Sequence, residues 1–72
     1  MTEELVPRDE ARAALATAER YNLQGQPGLA LPNAERAMMG LPAHSSDWIR
    51  AQDIAMVSRN AVQRNQRGRN RQ

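Results

Sequence analysis

Large apolar side chains are scarce in this chain, and their scarcity limits what it can fold into. Its 72 residues include no Phe and no Cys, Tyr21 and Trp48 are the only aromatic residues, and alanine supplies much of the 40% that is hydrophobic. A chain this short buries only about 60% of the surface that its unfolded form exposes. Without cysteine, neither disulfides nor thiolate-bound zinc can supplement the core. We therefore expect one small domain that is stabilised by a partner, either another protein or a second copy of itself.

Turn signals and the spacing of apolar residues predict an all-α domain. Val and Ile total five, too few to indicate a strand, and four of them lie in one stretch with helical spacing. The segments Gly25-Gln26-Pro27-Gly28 and Gly40-Leu41-Pro42 predict turns that divide the chain into three pieces. We expect a single domain over residues 1–66 with helices at about 8–23, 32–39 and 46–66, followed by a flexible, disordered arginine-rich tail over 67–72.

Each of the first two helices is predicted from one apolar stripe and from residues that favour its ends. Pro7 is tolerated in a first helical turn, and Gly25 is placed to end the first helix. The stripe of the first helix comprises Ala11, Ala14, Leu15, Ala18 and Tyr21. The stripe of the second helix comprises Leu31, Ala34, Met38 and Leu41.

The third helix has two apolar stripes, which call for two neighbours. Ser46 is the expected N-cap. A second stripe, Ile49 and Met56, lies beside the main one and is free to contact another chain. We therefore predict a protein interface formed by Trp48, Ile49 and Met56, in a homodimer or a hetero-complex. The main uncharged arc comprises Trp48, Ala51, Ile54, Ala55, Ala61 and Val62, with Ser58 and Asn65 also inside it.

Basic charge is concentrated at the C-terminal end of the chain. Residues 1–53 carry five arginines and eight acidic residues, a net charge of −3, whereas residues 54–72 carry five arginines and no acidic residue, a net charge of +5. Every basic residue is Arg, whose planar guanidinium binds phosphates and carboxylates through several donors at once. The charge distribution predicts an arm that binds nucleic acid or an acidic partner surface. Its predicted binding residues are Arg59, Arg64, Arg67, Arg69 and Arg71.

The run from Arg59 to Arg71 is similar in composition to the arginine-rich RNA-binding peptides of phage antiterminators and lentiviral export factors. The resemblance implies that Asn and Gln side chains read base edges while arginines contact phosphates or stack. Arg64, Arg67 and Arg71 would share one face of a continued helix, although Gly68 disfavours the helix there. A terminus that only keeps the protein soluble is an equally weighted interpretation of the same charges.

Two other nucleic-acid-binding motifs fit the first two helices poorly. The segment Gly25-Gln26-Pro27-Gly28 resembles the GXXG loop of KH domains, but the strands of such a domain are missing and the loop lacks basic residues. A helix–turn–helix motif needs a turn of three or four residues, whereas the predicted connection runs from Leu23 to Leu31. We interpret the segment as a plain turn.

No residue pattern predicts catalysis, a metal site or a cofactor. The single histidine, His44, precedes Ser45, Ser46 and Asp47, but consecutive residues entering a helix point in diverging directions and do not form a catalytic triad. With one His and no Cys, metal ligands would have to be carboxylates, and no spacing resembles a calcium loop. We predict a non-enzyme with no metal, no cofactor and no small-molecule substrate.

These patterns lead to two hypotheses about function. No run approaches the ~20 apolar residues of a membrane span, and residues 1–7 lack the features of a signal peptide, so we expect a cytoplasmic protein. The leading hypothesis is a small regulatory or accessory protein whose helical body docks on a macromolecular partner while its arm contacts nucleic acid or a nucleoprotein. The alternative is a protein-binding inhibitor or accessory factor, antitoxin-like or phage-type, that uses the face of Trp48, Ile49 and Met56 without contacting nucleic acid.

Overall fold

Three helices form the described part of the chain. The structure, a computed structural model, describes the backbone of residues 6–70 and the side chains of residues 6–65. The helices are α1, Arg8–Leu23, α2, Pro27–Gly40, and α3, Ser46–Asn70, and residues 6–70 include no strand. The prediction of a small all-α, three-helix domain is confirmed.

The second helix lies at the centre of the fold. α2 packs against both α1 and α3, whereas α1 and α3 contact each other much less. Residues 24–26 connect α1 to α2, and residues 41–45 connect α2 to α3. The molecule measures 42 × 31 × 18 Å.

The turn between α1 and α2 has the hydrogen bonds of a Schellman motif. Gly25 has φ +72°, the left-handed conformation that this motif requires. The N–H of Gln26 donates to the carbonyl oxygen of Tyr21 at 2.9 Å, and the N–H of Gly25 donates to the carbonyl oxygen of Asn22 at 3.2 Å. α2 then begins at Pro27, five residues before the predicted start at residue 32. Proline suits a first helical position because its missing N–H has no intrahelical partner there. The predicted four-residue turn was too long, because its last two residues belong to α2.

The connection between α1 and α2 has three residues, which is the length that a helix–turn–helix motif needs. The packing of the two helices, however, differs from that motif. Arg36, near the end of α2, pairs with Glu10, near the start of α1, at 2.9 Å. α1 and α2 are therefore an antiparallel hairpin, whereas the helices of the DNA-binding motif cross at about 90–120°.

The third helix is capped by Ser45 and not by the predicted Ser46. The Ser45 Oγ accepts a hydrogen bond from the N–H of Trp48 at 3.3 Å, and the Ser45 carbonyl accepts one from the N–H of Ile49 at 2.9 Å. Both contacts are typical of an N-cap residue. His44, just before the cap, has φ +68°, and this left-handed conformation turns the chain into α3.

The far end of α3 reaches beyond the predicted boundary. The helix continues to Asn70, four residues past the predicted end at residue 66. Residues 71–72 and the side chains of residues 66–70 lie outside the described residues, so the flexible arm over 67–72 stays a prediction.

The core consists almost entirely of alanine side chains. α2 contributes Ala30, Ala34 and Ala37, each with no exposed surface. The predicted stripe of α2 was partly wrong, because Leu31 and Met38 lie half-buried at the edges of this face. From α1, α3 and the second connection, the buried apolar residues are Ala11, Ala14, Leu15, Ala18, Leu41, Ala51, Ile54 and Ala55. The stripe of α1 is therefore confirmed, with Tyr21 half-buried at its end.

Close packing of α2 against the start of α1 depends on Gly40. A Cβ atom at position 40 would lie 2.6 Å from the Ala11 Cβ and 2.6 Å from the carbonyl oxygen of Val6. Ala11 is fully buried, so neither it nor the Val6 backbone has free space to move into. At Gly28, near the start of the same helix, an added Cβ would meet nothing within 4 Å.

Substituting these two glycines by alanine should have opposite effects on stability. Gly40→Ala overpacks the α1–α2 contact and should lower the free energy of unfolding by about 1–3 kcal/mol. Gly28→Ala replaces glycine by a better helix former in open space and should raise it by up to about 1 kcal/mol. Thermal unfolding followed by circular dichroism measures both, since each kcal/mol moves the Tm by about 4–8 °C in a domain of this size. Equal Tm values for Gly40→Ala and the wild type would contradict the close packing.

Candidate nucleic-acid interface

The described part of the basic arm contains Arg59 and Arg64. Nη2 of Arg59 donates a hydrogen bond to Oε2 of Glu35 on α2 at 2.9 Å, and both side chains are about half exposed. Arg64 lies further along α3 and is exposed. Arg59 thus contributes to the packing of α3 on α2, and the solvent-facing part of the arm begins at Arg64.

The side chains of the other three predicted arginines, Arg67, Arg69 and Arg71, lie outside the described residues. The helical backbone of α3 continues to Asn70 and covers the first two of these positions. Their contribution to binding stays a prediction based on the sequence.

Among the described residues, one arginine–glutamate ion pair joins each pair of helices. Arg36 and Glu10 join α2 to α1 at 2.9 Å, Arg50 and Glu19 join α3 to α1 at 3.2 Å, and Arg59 and Glu35 join α3 to α2 at 2.9 Å. All six side chains are partly exposed, so solvent screens each pair, and each contributes at most about 1 kcal/mol. A phosphate or carboxylate that binds one of these three arginines would have to compete with the glutamate already paired with it.

Among the arm arginines whose side chains are described, Arg59 and Arg64, only Arg59 is paired with a glutamate. A phosphate that binds Arg59 has to displace Glu35 from the guanidinium, whereas the exposed Arg64 lies on the part of α3 beyond that ion pair. Of the five predicted arm arginines, we therefore expect four to contact phosphates, namely Arg64, Arg67, Arg69 and Arg71.

The structure divides the three residues of the predicted protein interface between two environments. Ile49 and Met56 are 51% and 54% exposed, and their helical positions place them on the side of α3 that faces away from the buried Ile54 and Ala55. Trp48, by contrast, is half-buried, packs against the core, and has its ring centroid 4.8 Å from that of His44. Of the three predicted interface residues, Ile49 and Met56 therefore form the exposed stripe.

The loop before α3 has a structural role. Ser45 caps the helix and His44 contacts the indole of Trp48, so these two side chains serve the start of α3. Within residues 6–65, no three His, Asp or Glu side chains come together in a way that would hold a metal ion. No helix in the described part of the chain is both long enough and apolar enough to cross a membrane.

A groove of about 300 Å³ lies where the α1–α2 turn meets α3, and we call it the corner groove. The turn side of the groove is formed by Asn22, Gly25, Gln26 and Pro27. The α3 side is formed by Val57, Ser58, Ala61 and Asn65. The eight described residues that line it are uncharged, and three of them carry carboxamides.

Ser58 is the unusual member of the corner groove. It is 1% exposed, and its Oγ has no hydrogen-bond partner among the described residues. A buried hydroxyl without a partner costs about 1–3 kcal/mol, so such groups are rare in folded proteins. Ser58 falls inside the apolar arc predicted for α3, and a polar residue at a core position was the one signal of this site in the sequence.

A second groove, of about 540 Å³, lies between the start of α1 and the outer side of α2. It includes Glu10 and Arg36, which already form an ion pair with each other. Its charged groups therefore have partners, in contrast to the hydroxyl of Ser58.

Comparisons of this chain with protein-family models, with curated proteins and with solved structures give no match.

Replacing Ser58 by alanine should stabilise the protein. Ser58→Ala removes the unpartnered hydroxyl, keeps the small volume that the core requires, and should raise the free energy of unfolding by about 1–3 kcal/mol. Ser46→Ala, the same change at an exposed position of the same helix, should stay within about 0.5 kcal/mol of the wild type. Urea titrations followed by circular dichroism measure both variants. A loss of stability in Ser58→Ala would show that its hydroxyl has a partner in solution.

Proposed function

We propose that this protein is a small, non-enzymatic accessory protein that binds nucleic acid through the C-terminal end of α3. The observation that carries the proposal is the extension of α3. Asn65 lines the corner groove, and the backbone of the helix continues to Asn70, about 7.5 Å further. This extension belongs to a segment of net charge +5 without any acidic residue. A basic helix end that projects from a compact body is suited to lie along a phosphate backbone.

Charge separation within the chain supports the same proposal. The acidic residues all lie in residues 1–53. Glu10 and Glu19 pair with Arg36 and Arg50 of the body, and Glu35 pairs with Arg59 of the arm. The arm thus keeps its excess of positive charge at one end of the molecule. Because charges of one sign at one end of a molecule attract phosphates from a distance, the arm favours association with a polyanion.

Protein binding through the outer side of α3 is the second candidate function. The exposed side chains of Ile49 and Met56, seven positions apart on one face, support it. Two isolated apolar residues are also common on ordinary surfaces, so this support is weaker than that of the arm. In this alternative the arm contacts an acidic patch on the partner protein.

Binding to single-stranded RNA and DNA 20-mers, measured by fluorescence anisotropy, tests the proposed function. With four phosphate contacts, the slope of log K against log salt should be about −2.8, so affinity should fall about 50-fold between 50 and 200 mM salt. Arg64→Gln should make the slope about 0.7 less steep, because it removes one contact. Arg12→Gln, the same loss of charge at an exposed position of α1, is the matched control and should leave the slope unchanged.

A chain that ends after Asn65 provides the complementary test. It lacks Arg67, Arg69 and Arg71 but keeps the half-buried Ala61 and Val62, and its affinity should fall more than 10-fold. Equal affinity of the intact and shortened chains would contradict the proposed function. Ile49→Ser and Met56→Ser should leave nucleic-acid binding unchanged, and loss of binding in these variants would contradict a binding site on the arm.

A further inference from the structure

The corner groove offers a set of hydrogen-bonding groups that suits a neutral ligand. Asn22 and Asn65 line opposite sides of the groove, and each carboxamide supplies donors and an acceptor. Gln26 lines it as well, with its Nε2 donating to Oε1 of Gln24 at 3.3 Å. No lining residue within the described range 6–65 is charged, so these residues offer a charged ligand group no opposite charge in exchange for its hydration.

One further feature points to a ligand that both donates and accepts hydrogen bonds. Ser58 is 1% exposed and its Oγ has no hydrogen-bond partner among the described residues, so a polar group in the groove would satisfy it. A serine hydroxyl can donate one hydrogen bond and accept others.

The edge of a nucleobase has this combination of donors and acceptors. Asn and Gln carboxamides pair with base edges through two hydrogen bonds, and serine hydroxyls serve either as donor or as acceptor. Pro27, Val57 and Ala61 provide an apolar wall for the flat faces of the base. A volume of about 300 Å³ is at the lower limit of ligand pockets, about 300–1,000 Å³, so the groove has room for a base but not for a long ligand.

The position of the groove beside the arm decides which kind of nucleic acid fits. Asn65 lines the groove, and Arg64 precedes it at the start of the solvent-facing part of the arm. A strand whose phosphates lie along the arm therefore passes the opening of the groove. Bases in a duplex are stacked and paired, whereas those of a single strand can turn outward into a pocket.

We propose that the corner groove binds one base of a single-stranded nucleic acid, with Asn22, Ser58 and Asn65 as its hydrogen-bonding residues. This inference rests on the proposed function, because the arm holds the strand that delivers the base. The arm supplies affinity that depends on salt, and the groove supplies a preference for strands that carry bases.

Competition between base-bearing and abasic DNA 20-mers tests the inference with the intact chain. The two kinds of strand have the same phosphates, so only a site for bases distinguishes them. The strand with the preferred base, chosen from dA, dC and dT homopolymers, should bind about 5- to 150-fold more tightly than the abasic strand, as expected for one well-paired base. Asn22→Ala and Asn65→Ala should reduce this ratio to about 2-fold or less, while the salt slope of each variant stays that of the wild type.

The control is Asn60→Ala, which removes an exposed carboxamide of α3 that does not line the groove and should keep the full ratio. Ser58→Ala should also reduce the ratio, although this variant should be more stable than the wild type. A lower ratio in this variant would therefore reflect a lost contact with the base and not unfolding of the protein. Equal affinity for both kinds of strand, with the salt slope intact, would overturn the inference and leave the proposed function standing. Absence of salt-dependent binding to any strand would overturn both.

Binding of a peptide in the corner groove is the alternative that this test distinguishes from binding of a base. Nuclear magnetic resonance signals of the Asn22 and Asn65 side-chain amides should shift when the preferred 20-mer is added. Shifts of these signals with a neutral, glutamine-containing peptide, without any shift with the 20-mer, would assign the groove to a peptide and overturn the inference.

Discussion

The contact of α2 with its two neighbours through alanine side chains is the interaction on which the whole structure depends. Ala30, Ala34 and Ala37 are completely buried, and at Gly40 the helix approaches α1 so closely that a Cβ has no room. Small side chains bury little area each, so stability comes from many close contacts and not from a few large side chains. The three exposed ion pairs add little to this stability, although each joins a different pair of helices.

The lengths of the helices explain where the proposed sites lie. Because α2 has only 14 residues and α3 has 25, the body supports α3 over part of its length and the basic end continues past the α1–α2 turn. The corner groove forms at the place where that turn meets α3. Ser58 lies at the same place and is the last buried residue among the described side chains of α3, so the free energy lost on burying its hydroxyl is concentrated at the proposed site.

The sequence predicted those parts of the fold that depend on local pattern. The apolar period of α1 and the long arc of α3 identified their buried faces, because one face of each is apolar. The start of α2 was missed because proline is favoured both in turns and at first helical positions. The N-cap of α3 was misplaced by one residue because Ser45 and Ser46 are equally suited to that position by residue type. The corner groove could not be predicted, because Asn22 and Asn65 are distant in sequence and only the packing of α3 brings them to one groove.

The central claim is that nucleic acid binds at the C-terminal end of α3 and the adjoining α1–α2 turn, away from the stripe of Ile49 and Met56. Amide hydrogen exchange of the intact chain, measured with and without a single-stranded 20-mer, tests it most directly. The account predicts slower exchange on binding for residues 22–28 and for residues 57–70, with no change for residues 47–53. Slower exchange confined to residues 47–56, or no change anywhere at saturating strand, would contradict it.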